Sequence, residues 1–511
     1  MYLLGQIENK LFLGNLKLIL HIIFLLFFIN VIAQDNKEIE IINANSSLKD
    51  NNKHPDFWKL IGDVRFKHNN ILMWCDSAYY YFETNKIDAF SNIKISDKEN
   101  LQLTGKKLIY NGYDKEINIT GNVILIDKHI KLETNNLNYK LESKTAFYPN
   151  RGKIIKDEKT ILSKQGTYIS DEYKFIFKDS VLIIGKDYQI TTNNMNYYSN
   201  NEKANFFGPS FIISDDKTMY CEDGWYDTKN DIAQFNKNSQ IITEKQQIYS
   251  DSLYYNKKNK YGNAISNVQL IDTLNNIVIT GEKAEYYEDQ DKVEITNKPI
   301  LKLISKEDTL FMHANRFINH TIKEVKNIIA YNNIKFFRND LQGKCDSLSY
   351  NTKDSIIHMF TNPIIWCNTN QITGDTLNLF SSKGKIKELI INSNPMIITK
   401  EDSLDYNQIK GRFMQIKFMN NKIKKVFVDG NGQSIFIARN EKNEKIGVNY
   451  IESSSLSLNF MDNDLYEITY NITPESITKP YSKIDESKKY LDGFNWRAPE
   501  RPQKKEDIFN K

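Results

Sequence analysis

A tyrosine returns at fixed spacing along this chain. Tyr110, Tyr139, Tyr168, Tyr197, Tyr226 and Tyr255 are separated by five successive steps of 29 residues. The register continues more loosely through Tyr80, Tyr286, Tyr350 and Leu379. A fixed period of this size marks stacked supersecondary units rather than one globular core. A stack has a long surface or groove in place of a single pocket, so the repeat favours carriage along the molecule over catalysis. At 511 residues the chain exceeds what one hydrophobic core usually serves, and the repeat selects an extended array.

Each unit can be read residue by residue. It opens on a short Thr-Gly element, as in Leu103-Thr104-Gly105, Ile279-Thr280-Gly281 and Ile372-Thr373-Gly374. An apolar residue two before the tyrosine places both on one face of a strand. A polar turn rich in Asn, Asp and Lys follows, for example Asn111-Gly112-Tyr113-Asp114-Lys115. The return strand alternates: Ile117, Ile119, Val123 and Leu125 point one way, and Asn118, Thr120 and Asn122 the other. Near its middle a Gly-Asn, Gly-Pro or Asn-Pro element recurs at Gly121-Asn122, Gly208-Pro209, Asn297-Lys298-Pro299, Asn362-Pro363 and Asn394-Pro395. A bend at the same place in every unit curls each strand pair about a common axis. Helical periodicity is nearly absent between Trp58 and Thr473; only the N-terminal segment and Ser482–Tyr490 are helix-prone.

The flanks read differently. Residues 1–33 have the pattern of an export signal: Lys10 and Lys17 precede the apolar run Leu18–Ile29, and Val31-Ile32-Ala33 offers a cleavage site. An uncleaved anchor is the competing reading, because Leu16–Ala33 approaches spanning length. Residues 34–57 are polar and read as a linker, 58–473 as the repeated array, and 474–511 as a Pro-rich charged tail. The aromatic stretch Gly493-Phe494-Asn495-Trp496-Arg497 favours a docking role for that tail over disorder.

With 68 basic and 64 acidic residues the net charge is only +4, and no nucleic-acid patch stands out. The motifs of serine hydrolases, zinc proteases, P-loops and dinucleotide sites are missing, so no enzyme activity and no cofactor are expected. The histidines are scattered, and His313 with His320 lacks a ligand spacing, so no metal is expected. Cys75, Cys221 and Cys345 each stand five residues before a register tyrosine. They occupy one structural position in distant units, about 20 Å apart and beyond disulfide reach, so they read as small residues at a strand start. Only Cys345 with Cys367 is placed where a bridge could form.

The repeated unit of Thr-Gly, apolar-x-Tyr, polar turn and Gly-Asn-Val resembles the OstA-like, or LptA-like, periplasmic proteins. The matches are clearest from Leu103-Thr104-Gly105 to Gly121-Asn122-Val123, from Ile279-Thr280-Gly281 to Asn297-Lys298-Pro299, and at Ser266-Asn267-Val268. The resemblance implies an all-β, elongated, repetitive β-jellyroll of stacked antiparallel strands with an open apolar groove. It further implies a periplasmic carrier that binds lipopolysaccharide through lipid A and bridges the inner and outer membranes. LptC-like and LptD-like partners would then join by end-to-end strand addition, with the protein in the periplasm or at the outer membrane. The same module forms the N-terminal part of LptD. This chain departs from the short bridge proteins in carrying several times more repeats, and no barrel-like half follows them.

The inward positions expected to line a lipid groove are Leu108, Tyr110, Val123, Leu125, Leu137, Tyr139, Met195, Tyr197, Val268, Leu270, Ala284, Tyr286, Leu348, Tyr350, Ile364 and Trp366. Period-two alternation serves a filled core equally well, so lining and core stay open alternatives here. Two other classes also stay open: an exported β-solenoid scaffold or adhesin binding protein or carbohydrate on its outside, and a parallel β-helix enzyme acting on polysaccharide.

Overall fold

The computed structural model describes residues 38–510 apart from 51, 98–100, 129, 307, 323–324, 383, 462–463 and 473. The expected export signal therefore lies outside the described residues. Those described are strands joined by tight turns and a few 3-10 turns, with no α-helix among them. The protein is all-β, and the described strand pairings are antiparallel. The described residues divide into two compact units, one running up to Asp157 with Thr167–Asp171, the other Glu158–Gly166 with those from Glu172 onward.

The 29-residue step is one hairpin of two long strands. In the first unit the register column runs Trp58, Tyr80, Ile87, Tyr110, Ile117, Tyr139, Ala146, each residue directly opposite the next. In the second unit it runs Phe175, Tyr197, Ala204, Tyr226, Ala233, Tyr255, Gly262, Tyr286, Val293. Outgoing strands supply the tyrosine ring, and three return strands of the second unit supply Ala204, Ala233 and Gly262 opposite it. Large and small residues thus interdigitate along the column, which lets neighbouring rings pack without overfilling the space between them.

Each long strand is bent near its middle. The pairing register slips between Phe90 and Ile93, Thr120 and Val123, Lys178 and Val181, Ile265 and Val268, and Tyr331 and Ile334. At each slip two consecutive residues enter the left-handed region: Ser91-Asn92, Gly121-Asn122, Asp179-Ser180, Ser266-Asn267 and Asn332-Asn333. Gly, Asn, Asp and Ser tolerate this conformation better than branched residues, which is why the bend is written in those letters. The expected Asn-Pro and Gly-Pro elements lie at such bends too, with Gly208, Asn297, Asn362 and Asn394 at positive φ.

The bend folds each strand across two walls that share one core, and this makes each unit a β-jellyroll. In the second unit Ile279 and Ala284, on either side of a bend, belong to one apolar cluster running from Ala264 to Leu458. The Thr-Gly element sits where the walls approach closely: a Cβ on Gly281 would lie 2.7 Å from Cγ2 of Ile295. Cys75, Cys221 and Cys345 take the same place, opposite Val64, Ser210 and Ile334. All four cysteines are free and buried. Trp366 pairs with Gln342, which sets Cys367 opposite Leu341, four residues along the strand from Cys345. That offset is about 13 Å, too far for a bridge.

Both flanks are more ordered than their composition suggests. The stretch read as a linker contains the strands Glu40–Asn43 and Ser46–Asp50, both paired with His54–His68, so the fold begins before residue 58. Ser46–Asp50 is exposed on both faces, and an exposed strand has no apolar period to reveal it. In the tail, Glu475–Pro480 pairs with Lys445–Met461. The helix-prone Ser482–Tyr490 forms 3-10 turns at Tyr481–Lys483 and Glu486–Lys489 instead.

Candidate functional site

The two walls of a jellyroll meet on one side along the strand ends, and the side chains placed there decide whether the slot is shut. In the first unit polar contacts bridge it. Tyr80 donates to the Ile39 carbonyl at 3.2 Å, the Ile39 amide donates to Asn85 Oδ1 at 3.0 Å, and Tyr110 Oη lies 2.5 Å from His68 Nδ1. Tyr168 donates to Asp127 at 2.9 Å, and Ser170 bonds the same carboxylate. Burial pushes the phenols of Tyr110, Tyr139 and Tyr168 well above their usual range, so they stay neutral. The register tyrosine thus has two parts to play, with its ring in the core and its hydroxyl at the slot.

In the second unit the bridges are charged and spaced apart. Lys159 bonds Glu202 and Thr228. Lys217 donates to Tyr255 Oη at 3.3 Å, and Tyr255 donates to Glu288 at 2.8 Å. Lys326 meets Asp272 at 2.6 Å, and Arg338 donates to the Gly384 carbonyl at 2.9 Å. Burial pushes the Asp272 carboxyl up, but hydrogen bonds from Lys326 and Asn275 outweigh it and hold the group below the usual carboxylate range.

Between these bridges the slot opens into cavities. One of about 1060 Å³ has Ile241, Ile248, Tyr255, Leu274, Tyr286 and Val293 as its apolar lining, with charged residues at the rim. A second, of about 790 Å³, is lined by Leu303, Leu310, Tyr350, Ile357, Leu379 and Ile386, with Arg338 and Lys385 among its polar residues. Four register residues, Tyr255, Tyr286, Tyr350 and Leu379, therefore form part of the cavity walls. Burial pushes the Tyr286 phenol up to about 12.

The sixteen expected groove residues separate into three groups. Leu108, Tyr110, Val123, Leu125, Leu137 and Tyr139 in the first unit are buried, as are Met195, Tyr197, Val268, Leu270, Ala284 and Leu348 in the second. Tyr286 and Tyr350 are half-buried and line the two cavities. Ile364 and Trp366 face the other way. They pair with Lys344 and Gln342, while their neighbours Ile365 and Cys367 lie in the jellyroll core. Sequence reasoning also missed Ile248, Val293 and Ile357. Val293 and Ile357 lie on return strands opposite Tyr286 and Tyr350, whereas Ile248 lies opposite Ile241 and Leu270; only cross-strand pairing reveals them.

Ile364 and Trp366 are covered by the C-terminal tail, which crosses the strands as a strap over the outer face. Three glutamines in the same cross-strand column hold it. Gln408 gives its amide to the Lys489 carbonyl and receives the Leu491 amide, each at 2.8 Å. Gln371 does the same for Asn495 and Arg497, each at 2.7 Å. Gln342 accepts from the Arg501 guanidinium at 2.8 Å. Tyr406 packs on Phe494 and Trp496, Lys344 pairs with Glu500 at 2.7 Å, and Phe509 reaches His313.

Comparison with known families agrees with this architecture. The OstA-like protein family matches residues 36–193, and the LptA/(LptD N-terminal domain) LPS transport protein family matches residues 160–385. The chain belongs to the OstA/LptA-like family. It is thereby a β-jellyroll protein related to lipopolysaccharide transport. No curated protein matches it. The matched spans hold all the bridges described above, whereas the strap lies beyond them. None of the described helical segments is long and apolar enough to cross a membrane.

Proposed function

We propose that this OstA/LptA-like protein is an exported, non-catalytic carrier of lipopolysaccharide in the periplasm. Its slot would hold the acyl chains of lipid A between the walls while the charged head stays at the rim, and the protein would bridge the inner and outer membranes. The observation that carries this reading is the pair of apolar-floored cavities along the slot of the second unit. Their volumes fall near the roughly 300–1,000 Å³ range of ligand pockets. Charged residues at the rim suit an amphiphile with an ionic head.

Sheet edges support the assembly part of the proposal. Asp464–Asn471 and Glu475–Pro480 both register against Lys445–Met461, and Tyr466 and Ile477 on them are exposed. Such edges are templates for strand addition, the mode by which LptC-like and LptD-like partners would join end to end. The deciding experiment is photo-crosslinking in living cells from Tyr286 replaced by a photoreactive residue, with buried Tyr110 as the control position. Glycolipid adducts at Tyr286 and not at Tyr110 are expected. Adducts to protein alone would reject the carrier.

A further inference from the structure

The slot of the second unit is partitioned. The cavity of about 1060 Å³ is bounded by Lys217, Tyr255 and Glu288 at one end and by Leu274, Lys326 and Thr352 at the other. The cavity of about 790 Å³ has Asn275 and Asn276 at one end and Arg338 and Gly384 at the other. Lys326 lines the first cavity, and Asn275, which bonds Asp272, lines both; the Lys326–Asp272 pair itself lines a crevice too tight for water, with side chains only 12% and 4% exposed.

The two halves of this pair are held unequally. Asp272 is fastened to its own turn by the amides of Leu274 and Asn275, each at 3.1 Å, and by the Asn275 side chain at 2.9 Å. It keeps partners when Lys326 leaves. Lys326 is an ammonium on a long flexible stem, and in this latch it is the movable half. Separating a buried pair is costly when it leaves a charge uncompensated. A phosphate-type anion presented to Lys326 removes that cost, because the ammonium exchanges one anion for another. A neutral headgroup offers no such exchange.

We propose that Lys326–Asp272 is a charge-exchange gate between two lipid compartments, opened when an anionic headgroup replaces Asp272 on the Lys326 ammonium. This rests on the lipid-carrying reading above. The gate selects anionic amphiphiles and closes behind them as the pair re-forms.

The test uses the full chain with benzoylphenylalanine at Tyr286 or at Tyr350, one reporter in each compartment. The probes are dilauroyl phosphatidic acid and uncharged dilauroylglycerol in the same neutral detergent. With the native pair, phosphatidic acid should label both positions about tenfold more than dilauroylglycerol, the scale of one charge-assisted hydrogen bond. Lys326→Met should bring that ratio to about one, Lys326→Arg should retain it, and Asp272→Asn should raise phosphatidic acid labelling at both positions. An undiminished ratio in Lys326→Met overturns the gate. If that variant does not fold, Asp272→Asn decides, and unchanged labelling overturns the gate. Labelling of the native pair by both lipids equally overturns the gate and leaves the carrier standing, whereas labelling by neither rejects the carrier itself.

Discussion

Replacing Gln371 with leucine should loosen the C-terminal strap at its middle clamp. Gln371 is 1% exposed, and its amide both receives the Arg497 N–H and donates to the Asn495 carbonyl at 2.7 Å. Leucine has nearly the same bulk, so the change removes two hydrogen bonds and leaves little cavity. A buried hydrogen bond contributes about 1 kcal/mol net, and an unmatched buried partner costs about 1–3 kcal/mol. Two such groups put the loss at roughly 2–4 kcal/mol for strap opening, or about 30-fold to 1,000-fold in the opening equilibrium. Amide hydrogen exchange at Arg497 reads this directly, since that N–H exchanges once the clamp releases it. A rise below about threefold at Arg497 refutes the clamp as the element that holds the strap.

Three further outcomes are expected. Gly281→Ala forces a Cβ to within 2.7 Å of Ile295 and 3.0 Å of the Thr296 carbonyl, and thermal unfolding should show a loss of about 1–3 kcal/mol; an unchanged midpoint contradicts the close approach of the walls. Arg497, with Lys344, holds the Glu500 carboxyl at about 2 against 4.5 in the unfolded chain. A depressed carboxyl stabilises fully above the unfolded value and progressively less as pH falls, so pepsin should cut the strap increasingly from pH 4.5 towards 2, and Glu500→Gln should remove that dependence. Burial pushes the thiols of Cys75, Cys221 and Cys367 up to about 12, so iodoacetamide should leave all four cysteines unmodified in the native protein and alkylate all four in denaturant without reductant; a shortfall in denaturant would expose a disulfide.

What the sequence disclosed was whatever lies within a strand or recurs along the chain. The tyrosine column and the bends at Gly121-Asn122 and Asn297-Lys298 were legible because period and turn chemistry are local. The small-residue reading of the cysteines followed from the same register. Facing was legible only where one side of a strand meets water. Ile364–Cys367 is buried at four successive positions, core on one face and strap on the other, so alternation vanishes and the pattern does not tell which side Ile364 and Trp366 face. The Lys326–Asp272 pair joins strand ends 54 residues apart across the slot, at a spacing no repeat sets. The strap clamps left one trace: Gln342 and Gln371 are themselves 29 residues apart.

The strap also behaves as a ruler. Its contacts with successive glutamines fall at Lys489, Asn495 and Arg501, an advance of six residues for each pair of strand steps beneath. Two strand steps are about 9.6 Å, far less than six extended residues would span. The 3-10 turn at Ala498–Glu500 and the Phe494-to-Leu491 turn bond take up the surplus chain. Tail length and strand number are therefore locked to each other. Gaining or losing one hairpin under the strap would shift every downstream contact out of phase by six residues, so the number of repeats in this half of the protein can change only if its C-terminus changes in step.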